Sequence, residues 1–94
     1  MTASKIYHVK HILLTHLYEA EDVLRKLKAG SDFNEMAQKF STCPSAAKNG
    51  DLGPLKAGQA DEAFEEAALS LKPNEQSMKP VRTRFGYHLI LRMR

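Results

Sequence analysis

Four histidines and one cysteine are the side chains in this sequence best suited to proton transfer, metal ligation or nucleophilic attack. His11 opens the apolar run HILL near one end of the chain, and His88 opens HLIL near the other. A neutral imidazole carries one donor and one acceptor, so burying it requires a partner for each. If the two end segments pair as strands, His11 and His88 come directly opposite each other with Cβ atoms about 5 Å apart, and each ring satisfies the other without a buried charge. The alternative is a pair of core histidines held by backbone groups, and spacing along the chain leaves both arrangements open.

Cys43 lies in STCPSAAKNGDLG, a stretch rich in turn-forming residues. A thiol close to imidazoles becomes a nucleophile when a nearby cation lowers its pKa, the arrangement of a Cys/His hydrolase. No segment here offers an obvious oxyanion hole or orienting acid, so covalent chemistry is the weaker reading, and a small buried apolar group is its rival. Zinc favours these residue types, yet HVKH in a strand sends His8 and His11 to opposite faces, and neither C-x-x-C nor H-x-x-x-H occurs. No metal site is expected.

The elements that must position these groups follow from periodicity. Residues 5–14 are rich in β-branched and aromatic side chains and read as a strand, with Tyr7, Val9, His11 and Leu13 on one face and Ile6, His8, Lys10, Ile12 and Leu14 on the other. Ala20, Val23, Leu24 and Leu27 fall at helical spacing, which predicts a helix over 18–29 ending at Gly30. Phe33, Met36, Ala37 and Phe40 repeat that spacing after Asp32, which with Glu35 resembles a capping box. Pro44, Gly50, Gly53, Pro54 and Gly58 then break the periodicity, predicting a long loop over 41–59 with one helical turn and one short strand. Loops of this length in small domains are usually functional. A helix over 61–71, a turn around Asn74, a short strand over 78–82 and a last strand over 87–93 complete the chain. This order predicts an α+β fold, with helices flanking a small, mostly antiparallel sheet.

At 94 residues the chain is expected to be one domain, 1–94, without repeats or a linker. A single cysteine allows no internal disulfide, the N-terminus lacks the apolar core of a secretory signal, and no apolar run is long enough for a bilayer. A cytoplasmic protein without a membrane partner is the expectation. The net charge is +3, but most basic residues are interspersed with acids, as in EDVLRKLK. Only Lys79, Arg82, Arg84, Arg92 and Arg94 gather, without stacking aromatics between them, so nucleic acid is not an expected partner.

VKHILL, FSTCPSAAKNGDLGPLKAGQ, AFEEAALSL and MKPVRTRFGYHLI, in this order and spacing, resemble the parvulin family of peptidyl-prolyl cis/trans isomerases over residues 8–93. The resemblance implies a four-stranded antiparallel sheet with the first and last strands central, about four helices around it, and the order β-α3-β-α-β2. It places the family's two histidines on His11 and His88, its Cys-or-Asp position on Cys43, and the hydroxyl that supports the histidines on Thr83. Its proline pocket falls on Leu52 and Phe64, with Phe85 near the rim. Ala60 stands where many relatives carry methionine, and Asp61 and Glu62 make the neighbouring rim acidic. The implied activity is rotation of X-Pro bonds in proline-containing polypeptide segments, by a monomer needing no cofactor, in aid of protein folding. A weakly catalytic binding or chaperone module is the alternative, which Ala60 keeps open. Relatives that require a phosphorylated residue before proline carry clustered Arg and Lys after the first strand. LTHLYEAED holds acids there instead, so the resemblance implies no phosphate dependence.

Overall fold

The computed structural model describes residues 6–94; Lys5, the expected first residue of the first strand, lies outside them. Strand β1 (Ile6–Leu14) leads into helices α1 (Leu17–Lys28) and α2 (Phe33–Phe40), a 3-10 turn (Pro44–Lys48) and strand β2 (Asp51–Lys56). Helix α3 (Glu62–Ser70) then precedes the hairpin of β3 (Val81–Thr83) and β4 (Gly86–Arg92). The fold is α+β, one antiparallel four-stranded sheet in the order β2-β1-β4-β3, with the first and last strands in the middle. Among the described residues three α-helices form, and the third of the helices expected between β1 and β2 is the 3-10 turn.

Alternation along the two central strands divides the core. Ile12, Leu14 and Leu89 face α1 and α2, where they pack with Ala20, Val23, Leu24, Leu27, Phe33, Met36 and Ala37. Tyr7, Val9 and Ile90 face the other side and pack with Phe64, Ala68 and Leu71 of the α3 segment. The period of two therefore also puts His11 and His88 on the α3 face. Truncating a buried aromatic such as Phe64 costs about 3–5 kcal/mol, so that ring is a large part of what holds α3 to the sheet.

The helix starts are fixed locally. The Asp32 carboxylate accepts from the Glu35 N–H at 3.1 Å, and the Asp61 carboxylate accepts from the Ala63 N–H at 2.9 Å. At α1 it is Glu19 that accepts, from the His16 N–H at 3.0 Å. Each bond satisfies a donor that the helix itself leaves free.

The hairpin departs from the sequence reading. A strand starting at residue 78 is not formed: Met78 is 72% exposed, and pairing with β4 begins at Val81. The chain touches β4 earlier, where Gln76 bridges Leu91 and Ser77 N–H donates to Ile90 O at 2.8 Å. Between these points lies Lys79-Pro80, and proline has no N–H for a ladder bond. The chain arches outward there and rejoins β4 beside His88.

Candidate active site

His11 and His88 meet, but not by direct opposition. In the β1–β4 ladder His11 faces Ile90 and Leu13 faces His88, so the two rings are diagonal neighbours on one face. Diagonal positions lie farther apart than opposed ones, and long side chains still span them. The ring planes are 22° apart with centroids at 5.1 Å, and Nδ1 of one ring is hydrogen-bonded to Nδ1 of the other at 2.9 Å. Phe64 covers both rings edge-on, at 5.7 Å from His11 and 5.0 Å from His88.

Each histidine is 5% exposed. Burial lowers the pKa of His11 to about 4, helped by the proximity of His88. Burial lowers that of His88 to about 4 as well, against the opposing pull of the Asp61 carboxylate. Both rings are therefore neutral near pH 7. The Thr83 hydroxyl lies 2.7 Å from His88 Nε2 and accepts from the Phe85 N–H at 3.2 Å. Two proton arrangements satisfy these contacts. In one, Thr83 donates to His88 Nε2, His88 Nδ1–H donates to His11, and His11 Nε2–H is left without a partner. In the other, every bond reverses and His11 Nε2 is left as an acceptor. Either way the chain of bonds ends at His11 Nε2, which is buried and makes no hydrogen bond.

The loop that carries Cys43 and Leu52 is docked on the same stretch of β1. Leu13 N–H donates to Ser41 Oγ at 3.0 Å, and Thr42 N–H donates to Leu13 O at 2.8 Å. His11 N–H donates to Gly50 O at 2.9 Å. Gly50 is needed there, because at its φ of +82° a Cβ would lie 2.3 Å from His11 O. Cys43, half-buried, starts the 3-10 turn from this anchored position. A second anchor is Glu65, whose carboxylate accepts from Tyr7 OH at 2.9 Å and from Gly58 N–H at 2.9 Å. It ties the segment before Ala60 and Asp61 to both α3 and β1, and burial followed by this carboxylate pushes the Tyr7 pKa upward.

These anchors surround a cleft of about 470 Å³. His11, Cys43, Leu52, Ala60, Asp61, Phe64, Phe85 and His88 all line it. Thr83 does not, and it is linked to the lining through His88 and the Phe85 N–H. Leu13, Thr42, Pro44, Leu55, Gln59 and Arg84 also line it and were not picked out from the sequence. Leu13 was legible as the next residue on the His11 face, whereas Gln59 and Glu65 carried no sequence signal. Among the described residues no group of three or more His, Cys, Asp or Glu side chains gathers as a metal site. No helix among them is long and apolar enough to cross a membrane.

A central strand pair that buries two mutually bonded neutral histidines beneath an apolar cleft is the arrangement that the resemblance to the parvulin class implies. Residues 11–94 match the PPIC-type PPIase domain, and the chain belongs to that family. It is 49% identical over 81 residues to the foldase protein PrsA of Bacillus subtilis, an alignment covering 85% of this chain and 27% of that protein. The crystal structure of PrsA from Bacillus subtilis superposes with a TM-score of 0.90 at 43% identity, over 95% of this chain and 35% of that one. The solution structure of the parvulin of Nitrosopumilus maritimus gives 0.83 at 37% identity and covers 99% of this chain and 100% of that one. The chain spans about a quarter of the length of the foldases it matches.

Proposed function

We propose that this domain speeds cis/trans rotation of X-Pro bonds in polypeptide segments and thereby assists their folding. The observation that carries this reading is the neutral His11–His88 pair beneath Phe64, in a cleft whose other walls are largely apolar. Amide resonance opposes the rotation with a barrier of about 18–20 kcal/mol. Leu52, Leu55 and Phe64 grip the proline ring, while the preceding carbonyl swings past Cys43 and the imidazoles. No bond breaks, so neither a nucleophile nor a cofactor is needed. Binding the twisted amide about 5 kcal/mol more tightly than the planar one accelerates rotation several thousandfold. Thr83 is a positioning residue, acting through His88.

Likeness to foldases supports the role in folding, and the absence of Arg and Lys from the turn after β1 supports tolerance of unphosphorylated residues before proline. The proposal includes a monomer at work in the cytoplasm, independent of membrane and nucleic acid. Sedimentation and cell fractionation check those parts. The activity itself is tested by NMR exchange between the cis and trans forms of a proline peptide. Acceleration by the domain, without a large gain from phosphate on the preceding residue, is expected. The half-buried Ala60 in the cleft favours a second reading, a module that holds proline segments with weak catalysis. Peptide binding without faster exchange would select it.

A further inference from the structure

Beside the cleft, and sharing Arg84 and Phe85 with it, runs a second groove of about 420 Å³ between the β1–α1 turn and the β3–β4 hairpin. Its charge is one-sided. Arg82, Arg84 and His16 line it, no Asp or Glu does, and Leu17 and Phe85 form apolar shoulders that are 44% and 60% exposed. Neither arginine makes an ion pair among the described residues. The Arg84 guanidinium is instead held over the Phe85 ring, 5.0 Å from its centroid. This stacking leaves the edge of the guanidinium, with its forked donors, free for a planar anion. Asp61 lies in the lining of the cleft and not of this groove, and although Glu19 bonds the His16 N–H behind one wall, no acid lines the groove itself.

We propose that this groove binds carboxylate side chains of the substrate chain close to the bound proline, with Arg84 and Arg82 as specificity-determining residues. Continuity carries the inference. A polypeptide leaving the cleft past Phe85 enters a channel lined by two unpaired guanidinium groups, and arginine clusters of this kind select acidic segments through charge-assisted, bidentate hydrogen bonds. Asp61 completes the polarity: an acidic residue lies on the hairpin side of the proline, and a neutral or basic one lies on the α3 side. The inference deepens the isomerase reading and rests on it.

The test is a set of proline peptides carrying Glu, Gln or Lys at each of the two positions on either side of proline. Exchange rate and affinity are both measured, the latter by chemical-shift titration. At low salt, kcat/KM for the best-placed Glu peptide is expected to exceed that of its Lys counterpart by about three- to tenfold, since each exposed ion pair contributes modestly. Higher salt shrinks that ratio. Arg84→Gln reduces it, and the double charge reversal Arg82→Glu/Arg84→Glu inverts it, in proteins whose amide spectra remain dispersed. Equal turnover of Glu and Lys peptides by the unmodified domain overturns the assignment, as does a preference that survives charge reversal. A phosphoserine peptide is expected within the same several-fold range as Glu, and a hundredfold advantage over Glu would make the groove a phosphate site instead. Charge order in affinity without faster exchange keeps the groove and removes the isomerase reading, and faster exchange without charge order does the reverse.

Discussion

Neutrality suits the His11–His88 pair, because burial beneath Phe64 opposes a charged imidazole more strongly than the Asp61 carboxylate favours one at His88. Cys43 lines the same cleft, and the proposed rotation breaks no bond, so it asks of that thiol only polarity along the path of the carbonyl and no nucleophilic attack. Cys43→Asp is accordingly expected to retain substantial exchange activity. Complete loss, in a protein with an unchanged amide spectrum, would point to covalent chemistry. In the same cleft, Ala60 presents only a methyl group where a longer apolar chain would reach further toward a bound proline ring. Ala60→Met is expected to tighten peptide binding by about 1–2 kcal/mol, about five- to thirtyfold in KM, from the apolar area it adds. An unchanged KM would show that the proline ring does not reach residue 60. The chemical types were readable from the sequence, and the resemblance of the motifs assigned them places. Which residue each histidine faces was not readable, because ladder register is set by the β3–β4 hairpin and by packing on both faces of the sheet.

At the scale of elements, strands and helices position the site by backbone approach as much as by side chains. Gly86 opens β4 two residues before His88 with a φ of +138°, and a Cβ there would lie 2.5 Å from Leu14 O. Gly86→Ala must therefore strain the backbone and push β4 away from β1, at a cost of about 2–4 kcal/mol by comparison with other incompatible glycine replacements. Urea denaturation should show that loss, together with a fall in kcat as His88 leaves its partner. Near-parental stability would mean that the hairpin can slide without harm. Apolar periodicity was enough to read α1 and α2, because helical spacing directly reports a buried face, while α3 was legible from the acids Asp61 and Glu62 at its start. β3 starts at Val81 and not at residue 78 because Pro80 lacks a ladder donor, and the neighbouring contact with β4 is made by Gln76 and Ser77. Docking of the loop onto Leu13 and His11 depends on contacts between residues far apart in sequence, and these leave no local trace.

Across the whole molecule, the paired rings come from strands 77 residues apart, so the state of the site and the integrity of the fold are one equilibrium. Both histidines have a folded pKa of about 4 against an ordinary value of 6.5, chiefly because they are buried. Between those two values the unfolded chain binds protons that the folded chain does not, so unfolding becomes easier as pH falls. The pair's contribution is complete above about pH 6.5, erodes toward pH 4, and changes little below it, with a slope of at most about 1 kcal/mol per pH unit for each ring. Asp51 acts in a different window. Burial tends to raise its pKa, but hydrogen bonds from Gly53 and His8 outweigh that and hold it below 3.8, so its contribution is lost only in stronger acid. Thermal melts from pH 7 to pH 4 should therefore show a steady fall in Tm, while the imidazole signals of His11 and His88 do not titrate until the protein unfolds. A flat stability profile, or ring signals that titrate near 6.5 in the folded protein, would mean that the rings are solvated and that the cleft has no neutral floor for a twisting amide.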